Sequence, residues 1–422
     1  MRKANLFCYL TVCMSVLTAL GAPGDFDLTF GYGGAAQSGT SYDFYFNGSA
    51  SEEPVHCCLL EQQADGKLLV AGATDAASPR LILRRFNTNG TLDTSYGLGG
   101  EAIASGPYPA EFVYGVPLDV ESLPNGKTVV SGFVESGDIK VFSVWRFTNA
   151  GVLDTTFGSD GKITRPNALD NSGKSVSVYR NTIYAAGSRS RIYCINENGS
   201  ACVGFGGIAG YISVVGVDSV AIQPGTNKLL ASGSGWVKRY SLGGQIDTSF
   251  GQSGTASVCS PQCGYCPTSS VMAVNSNGKI VTGTSSTASS VGFILFYTVA
   301  QLNANGQPDL AFGGNACIGD EAGTTPPFAY PRTQRGLDVQ TDGRILLLEG
   351  PSIAYNASTN GNWTVARFNT DGSLDTTFVA AGTLDRNQDV LVQADGKIVT
   401  VGSTYSSSTD SLSNIFLGRY LP

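Results

Sequence analysis

The sequence has one histidine, His56, among 422 residues, and only 14% of its residues are charged. A single histidine excludes metal centres built from several imidazoles, and any Ser-His-Asp triad would depend on His56 alone. No Gly-x-Ser-x-Gly elbow accompanies it, so a turn or inner-strand position is favoured for His56. No apolar stretch of spanning length follows residue 21, and no stretch has the 3.6-residue apolar period of a substantial helix.

The first 21 residues have the pattern of a secretory signal peptide. Arg2 and Lys3 precede an apolar run from Leu6 to Leu20, and Ala19 to Gly21 supply small residues for cleavage. An uncleaved membrane anchor is the alternative, although a span needs about 20 apolar residues. We therefore expect a secreted, periplasmic or cell-surface protein with no membrane span in the mature chain.

The chain is acidic, with a formal net charge of −7. Loss of Arg2 and Lys3 with the signal would take this charge to −7 − 2 = −9. Such a balance argues against nucleic acid as a partner. The glycine-rich segment Gly97 to Gly100 has no helix after it that could receive a phosphate, so nucleotide binding is not supported either.

One short phrase occurs seven times. A strand ending in an aromatic or aliphatic residue is followed by a turn, then by an Asp seven residues after the strand end, and by an aromatic residue three further on. Cys202 replaces the Asp in the third copy, and the seventh copy is split between Gly24 to Gly31 and Leu417 to Tyr420. The repeated residues are Asp27, Asp93, Asp154, Asp247, Asp309 and Asp375, with the aromatics Phe30, Tyr96, Phe157, Phe205, Phe250, Phe312 and Phe378.

A second phrase alternates with the first, and it also occurs seven times. It consists of an apolar strand, a turn that is usually Asp-Gly or Asn-Gly, a Lys or Arg, and a second apolar strand ending at Gly, as in Ala394 to Gly402. Such turns favour tight hairpins because both central residues tolerate positive φ. Two hairpins make four strands. We predict an all-β, seven-bladed propeller over residues 24–422, with four-stranded blades and a ring closed by pairing of the N-terminal and C-terminal strands.

The two phrases resemble the repeat of the delta-60 family of bacterial exported β-propellers. Val392 to Gly402 and Ala366 to Phe378 match the family's unit almost letter for letter. The likeness weakens in the third unit, which lacks the Asp-Gly and the Leu-Asp, and in the fifth and sixth hairpins, which are one residue short and one residue long. The resemblance implies the fold, and it implies no activity and no site residues.

Eight cysteines lie beyond the signal, and an even number in an exported chain favours disulfides. Cys194 and Cys202 flank a hairpin turn that could bring them within bonding range, and we predict this pair. For Cys259, Cys263 and Cys266 a disulfide-stapled loop is favoured over a zinc site completed by Cys317 and over a redox centre. The disulfide candidates are Cys57, Cys58, Cys194, Cys202, Cys259, Cys263, Cys266 and Cys317.

The repeated Asp and Arg are interpreted as structural, because a functional site needs asymmetry and these residues recur in most blades. An Asp just after a turn can accept backbone N–H bonds, and the Arg is expected to stack on rings or bridge blades. Asp385, Asn387 and Asp389 have the opening spacing of a calcium loop, but Val390 and Gly396 stand where Gly and Glu are needed. A polar approach to a strand is favoured there, and bound calcium is left open.

These observations favour a monomeric, non-enzymatic scaffold without a cofactor that binds a protein or glycan partner. The insertions Gly106 to Pro117, Cys259 to Thr268 and Asp320 to Arg335 are the expected contact regions, because function concentrates in variable loops. The alternative is a calcium-dependent lactonase- or esterase-like hydrolase with its site in the central channel. For that role the inner strands offer carboxylates and an amide at inconsistent offsets from their turns, namely Glu61, Asp119, Glu121, Asn275 and Asp338.

Overall fold

A computed structural model of the chain describes residues 22–31, 35–37, 58–73, 81–104, 114–136, 139–165, 173–187, 190–258, 269–288, 294–314, 316–319, 336–349, 364–378, 387–405 and 412–422. These residues form 27 β-strands and no helix. The strands make seven antiparallel sheets arranged as a ring of blades, and the sixth blade has three strands among the described residues. The prediction of an all-β, seven-bladed propeller is confirmed.

The blades follow one another along the chain, except that strand β1 (Ala35–Gln37) belongs to blade 7. Blade 1 contains β2 (Leu59–Gln62), β3 (Leu68–Ala73), β4 (Leu81–Phe86) and β5 (Glu101–Ile103), and blade 2 contains β6 (Tyr114–Ser122), β7 (Thr128–Ser136), β8 (Ile139–Phe147) and β9 (Lys162–Arg165). Blade 3 contains β10 (Gly173–Tyr179), β11 (Thr182–Gly187), β12 (Arg191–Ile195) and β13 (Tyr211–Ser213), and blade 4 contains β14 (Val217–Gln223), β15 (Lys228–Gly233), β16 (Trp236–Tyr240) and β17 (Thr255–Ser257). Blade 5 contains β18 (Ser269–Val274), β19 (Ile280–Ala288), β20 (Ile294–Leu302) and β21 (Cys317–Gly319), blade 6 contains β22 (Leu337–Val339), β23 (Ile345–Glu349) and β24 (Thr364–Phe368), and blade 7 is completed by β25 (Asn387–Val392), β26 (Ile398–Tyr405) and β27 (Leu412–Tyr420).

The ring closes in blade 7, where strands from both ends of the chain meet. Strand β1 pairs antiparallel with β27 and places Ala36 opposite Leu417. Next to this pairing, the Asp27 amide donates to the Arg419 carbonyl at 2.8 Å. The predicted closure by N-terminal and C-terminal strands is confirmed.

The hydrophobic core is divided into seven clusters, each lying between two neighbouring blades. Phe30 of blade 7, for example, packs with Leu60 of blade 1 and Val399 of blade 7. Since every cluster draws on two blades, no blade has a complete core of its own, and closure of the ring buries the last two faces. One repeated aromatic occupies each of the other clusters, in turn Tyr96, Phe157, Phe205, Phe250, Phe312 and Phe378.

A glycine in the turn between the third and fourth strands allows neighbouring blades to approach closely. Gly151 has φ +77°, and a Cβ there would lie 2.6 Å from the Gly97 nitrogen. Gly97 is the residue after the repeated aromatic of blade 1, and its amide donates to the Ala150 carbonyl at 2.7 Å. A larger residue at 151 would therefore be strained in its backbone and would break this bond between blades.

The tight turns of both phrases lie on one face of the ring, because successive antiparallel strands reverse direction. Residues 106–113, 259–268 and 320–335 of the expected insertions lie outside the described residues. Tyr114 to Pro117 belong to β6, so the first insertion is shorter than the sequence suggested. The proposed signal peptide at residues 1–21 also lies outside the described residues. No helix among the described residues is long and apolar enough to cross a membrane.

Phe30→Ala is expected to lower the free energy of unfolding by about 3–5 kcal/mol, because it empties a fully buried site at the closure of the ring. Phe250→Ala, in an interface away from the closure, should cost a similar amount. Leu28→Ala is the matched control, since this side chain is 75% exposed and should change stability by less than about 0.5 kcal/mol. Chemical denaturation measures all three. A Phe30→Ala variant as stable as the control would show that closure does not support the ring.

Candidate functional site

The seven inner strands surround a central channel with a cavity of about 260 Å³. One side of this channel carries most of its polar groups, whereas blades 5 and 6 contribute a largely apolar wall of Met272, Ala273, Val274 and Leu337. The acidic residues lining the channel are Glu61, Asp119, Glu121, Asp218, Asp338 and Asp389.

Three channel aspartates each hold two backbone amides. Asp119 accepts the Val120 amide of its own strand at 2.7 Å and the Val176 amide of blade 3 at 2.8 Å. Asp389 does the same for the amides of Val390 and of Leu60 in blade 1, at 2.9 and 2.8 Å. Asp338 likewise holds the amides of Val339 and of Val392 in blade 7. These amides lie on the channel-facing edge of an inner strand, where no further strand supplies an acceptor.

Other side chains in the channel extend the same arrangement between blades 1 and 4. Glu61 accepts the Ser122 amide of blade 2 at 3.0 Å, and Glu121 accepts the Val178 amide of blade 3 at 3.1 Å. From blade 3, the hydroxyl of Ser175 accepts the Val220 amide and that of Ser177 accepts the Ile222 amide, both at 3.2 Å. The polar lining of the channel therefore ties each of these inner strands to the next.

The five inner-strand residues stand at three different offsets from the glycine of their hairpin turn, although three of the five share one offset. Glu61, Glu121 and Asp338 each stand five residues before the glycine of their hairpin turn, and Asp119 stands seven before its own. Asn275 differs because it closes its own hairpin, accepting the Asn277 and Lys279 amides at 3.0 and 2.9 Å. It does not line the channel.

Sequence reasoning missed three further channel residues. Asp389 stands seven residues before the glycine of its hairpin turn, as Asp119 does. This shared offset could have identified Asp389 as a channel residue, but the incomplete calcium pattern obscured it. Lys174 and Asp218 lie at β-bulges of blades 3 and 4, and their Nζ and Oδ1 atoms are 2.7 Å apart. Among the described residues, no three His, Cys, Asp or Glu side chains are grouped so as to hold a metal ion. Bound calcium stays an open alternative.

The repeated Asp forms the centre of an ion cluster within its blade. Asp93 Oδ2 accepts the Lys67 ammonium and the Arg85 guanidinium, both at 2.8 Å, while Oδ1 accepts the amide and hydroxyl of Ser95. Lys67 lies at the end of the hairpin turn before β3 and Arg85 lies in β4, so the cluster links both phrases of one unit. Asp27 and Asp154 have the same three kinds of partner.

The Arg of this cluster also joins neighbouring blades. The Arg85 guanidinium carbon lies 4.4 Å from the centre of the Tyr96 ring, and Nη1 donates to the Asn149 carbonyl of blade 2 at 2.7 Å. The prediction that this Arg stacks and bridges is confirmed. The guanidinium of Arg367 in blade 6 stacks on Phe378 in the same way, but its Nη1 has no acceptor among the described residues. Equivalent bonds run from Arg146, Arg239 and Arg419 to the carbonyls of Glu197, Ala304 and Thr88.

Blade 3 replaces the ion cluster by a disulfide. Cys194 and Cys202 stand at the Arg and Asp positions and are bonded to each other, with their Cα atoms 5.4 Å apart. Tyr184 takes over the bridging role of the missing Arg, because its hydroxyl donates to the Leu242 carbonyl of blade 4 at 3.1 Å. Its ring centre lies 5.7 Å from that of Phe205, where five of the other blades stack a guanidinium. The predicted Cys194–Cys202 disulfide is confirmed.

Two further cysteines, Cys58 and Cys317, are also disulfide-bonded. Cys317 is therefore unable to serve as the fourth thiolate of a zinc site. The remaining predicted residues lie outside the described part of the chain, namely His56, Cys57, Cys259, Cys263, Cys266 and Asp385.

Hydrogen bonds and positive charge lower the pKa of five of the repeated carboxylates. Burial alone would raise the pKa of Asp27, but hydrogen bonds from Thr29 and Lys397 and the charge of Arg419 outweigh it and lower the pKa to about 2. A hydrogen bond from Ser249 lowers the pKa of Asp247 to about 2 against the opposing effect of burial. The same balance holds the pKa values of Asp93, Asp154 and Asp375 below their ordinary value.

Comparison with a protein-family model supports the fold. Residues 63–96, 123–157 and 340–378 match a family model described as a domain of unknown function (DUF5122) beta-propeller. No curated protein matches the sequence. Solved structures similar to the chain include one titled "Crystal Structure of Mitotic Checkpoint Complex", with 11% identity, a TM-score of 0.46 and coverage of 92% of this chain and 98% of that one. The "WD40 beta propeller domain of Doa1" has the same identity and TM-score, with coverage of 91% and 98%.

The free energy of unfolding is expected to fall as the pH is lowered from about 5 to about 2. Asp27 and Asp247 have a pKa of about 2 in the folded chain, against about 3.9 for an unfolded aspartate. A carboxyl group with a lowered folded pKa stabilises the protein above its unfolded pKa and loses that effect as the pH falls through the folded value.

Chemical denaturation across this range checks the expectation with one pair of variants. Asp247→Asn should lower stability by about 1–3 kcal/mol at neutral pH and should flatten the dependence on pH. Asp160→Asn, in an exposed turn, is the control and should follow the unmodified chain. An unmodified chain with constant stability between pH 5 and pH 2 would contradict the assignment.

Proposed function

We propose that this protein is an exported, disulfide-stabilised β-propeller of the delta-60 repeat type that acts as a non-enzymatic binding scaffold for a protein or glycan partner. The disulfide between Cys194 and Cys202 supports an oxidising compartment, because intracellular thiols are generally kept reduced. The match to a β-propeller repeat of unknown function agrees with this proposal at the level of fold.

The role of the channel carboxylates carries the proposal. A hydrolase of the lactonase kind needs carboxylates that converge on a metal or on the reacting atoms. Three channel aspartates instead use both carboxylate oxygens to accept backbone amides of two neighbouring blades. They are Asp119, Asp338 and Asp389. The Asp of each repeated cluster is likewise engaged by Lys or Arg of its own blade. These groups assemble the ring, and binding is left to the surface that the ring presents.

A binding assay tests the scaffold directly. The mature chain, residues 22–422, is immobilised and exposed separately to exported proteins and to cell-surface polysaccharides of the producing cells. Saturable retention of one component, competed by soluble propeller and lost when the propeller is unfolded, is the expected result. Absence of retention from both pools would contradict the proposal.

The same preparation is assayed for hydrolysis of lactone and phosphotriester substrates, with and without added calcium. We expect no turnover and no shift of the melting temperature on chelation. Calcium-dependent turnover that is lost in a folded Glu61→Gln variant would overturn the proposal in favour of an enzyme acting in the channel.

A further inference from the structure

A polar groove of about 640 Å³ lies on the turn face of the ring, at the seam between blades 2 and 3. Blade 2 contributes Lys127, Arg146 and Thr156, while the turns of blade 3 contribute Asn181, Glu197 and Asn198. Blade 3 is the unit whose sequence departs most from the repeat. Thr182 also lines the groove, at the position where most other blades carry a Lys or Arg.

Glu197 distinguishes this seam from the others. It stands two residues after the third strand of its blade, where the other blades have no acidic residue; the equivalents are Thr88, Asn149, Leu242, Ala304, Thr370 and Pro422. Its two carboxylate oxygens accept bonds from Asn125 of blade 2 at 3.3 Å and from Asn181 of blade 3 at 3.2 Å. Its carbonyl accepts Arg146 Nη1. An exposed carboxylate is thus positioned from both sides of the seam.

The charges at the groove balance. Lys127 and Arg146 both contact Asp154, at 2.9 and 2.8 Å, and Glu197 supplies the second negative charge. No large apolar side chain of the described residues lines the groove. Its remaining lining groups are amides and hydroxyls, which can both donate and accept hydrogen bonds. A ligand that fits this surface is neutral and carries many groups that both donate and accept hydrogen bonds.

We propose that the groove between blades 2 and 3 binds a neutral oligosaccharide. Adjacent hydroxyls of a sugar would donate to the Glu197 carboxylate and exchange bonds with the amides of Asn181 and Asn198, with Lys127 as a further donor. The assignment rests on the proposed scaffold function and specifies that its partner is a glycan.

Isothermal titration of the full mature chain with cellotriose, maltotriose, mannotriose and chitotriose tests the assignment. At least one of these sugars should bind saturably, and Glu197→Ala should weaken that binding by at least about tenfold. Thr370→Ala is the matched control, because it alters the equivalent turn position of blade 6 and should leave binding unchanged. Melting temperatures verify that each variant is folded.

Thr182→Lys provides a second variant that does not depend on the folding of Glu197→Ala. A Lys here restores the side chain that other blades accommodate, and it should fill the groove and abolish sugar binding. Failure of all four sugars to bind, or binding unchanged by both variants, would overturn the assignment.

The two proposals fail separately. If no sugar binds but an exported protein is still retained, the scaffold function stands and the oligosaccharide assignment falls. If Glu197→Ala and Thr182→Lys instead abolish retention of that protein, the groove is a protein-binding site and the oligosaccharide assignment is wrong.

Discussion

The propeller depends on hydrogen bonds to the inner edges of its sheets, which side chains supply in blades 1 to 4, 6 and 7 of the described residues. An inner strand has one edge paired with its own blade and another that faces the channel, where its amides have no strand partner. Asp119 supplies acceptors to two strands at once. Its oxygens accept the amide of Val120 in its own blade and the amide of Val176 in the next blade. The acidic side chains of the channel therefore have a structural role, and their acidity carries little information about catalysis.

Farther from the channel, neighbouring blades are also joined by side chains that bond to the backbone of the next blade, but the groups involved are different. In four blades an Arg held by its own Asp stacks on the blade's aromatic residue and donates to a carbonyl of the next blade. Blade 3 shows that the role matters more than the residues, because a disulfide replaces the ion pair and Tyr184 replaces the guanidinium as donor. The exchange also removes the charges of the ion cluster from blade 3, whose turns carry different side chains, including Glu197.

Sequence spacing could predict the fold because each repeat is a local unit. The constant interval from strand end to Asp, and the split copy at Phe30 and Tyr420, gave the blade count and the closure. The Cys194–Cys202 bond was predictable for the same reason, since both residues flank one hairpin. The channel contacts could not be predicted from the sequence, because Asp389 and Leu60 are far apart in sequence and meet only in the closed ring. The groove at Glu197 likewise depends on Asn125 from another blade.

Hydrogen exchange at the inner strands tests the central claim most directly. The amides of Val120 and Val176 donate to Asp119, whereas those of Met272 and Val274 have no such acceptor in the described part of the chain. The first pair should exchange at least about tenfold more slowly than the second. Asp119→Ala should accelerate Val120 and Val176 together, although they belong to different blades. Equal exchange at all four amides, or acceleration confined to Val120, would contradict the account.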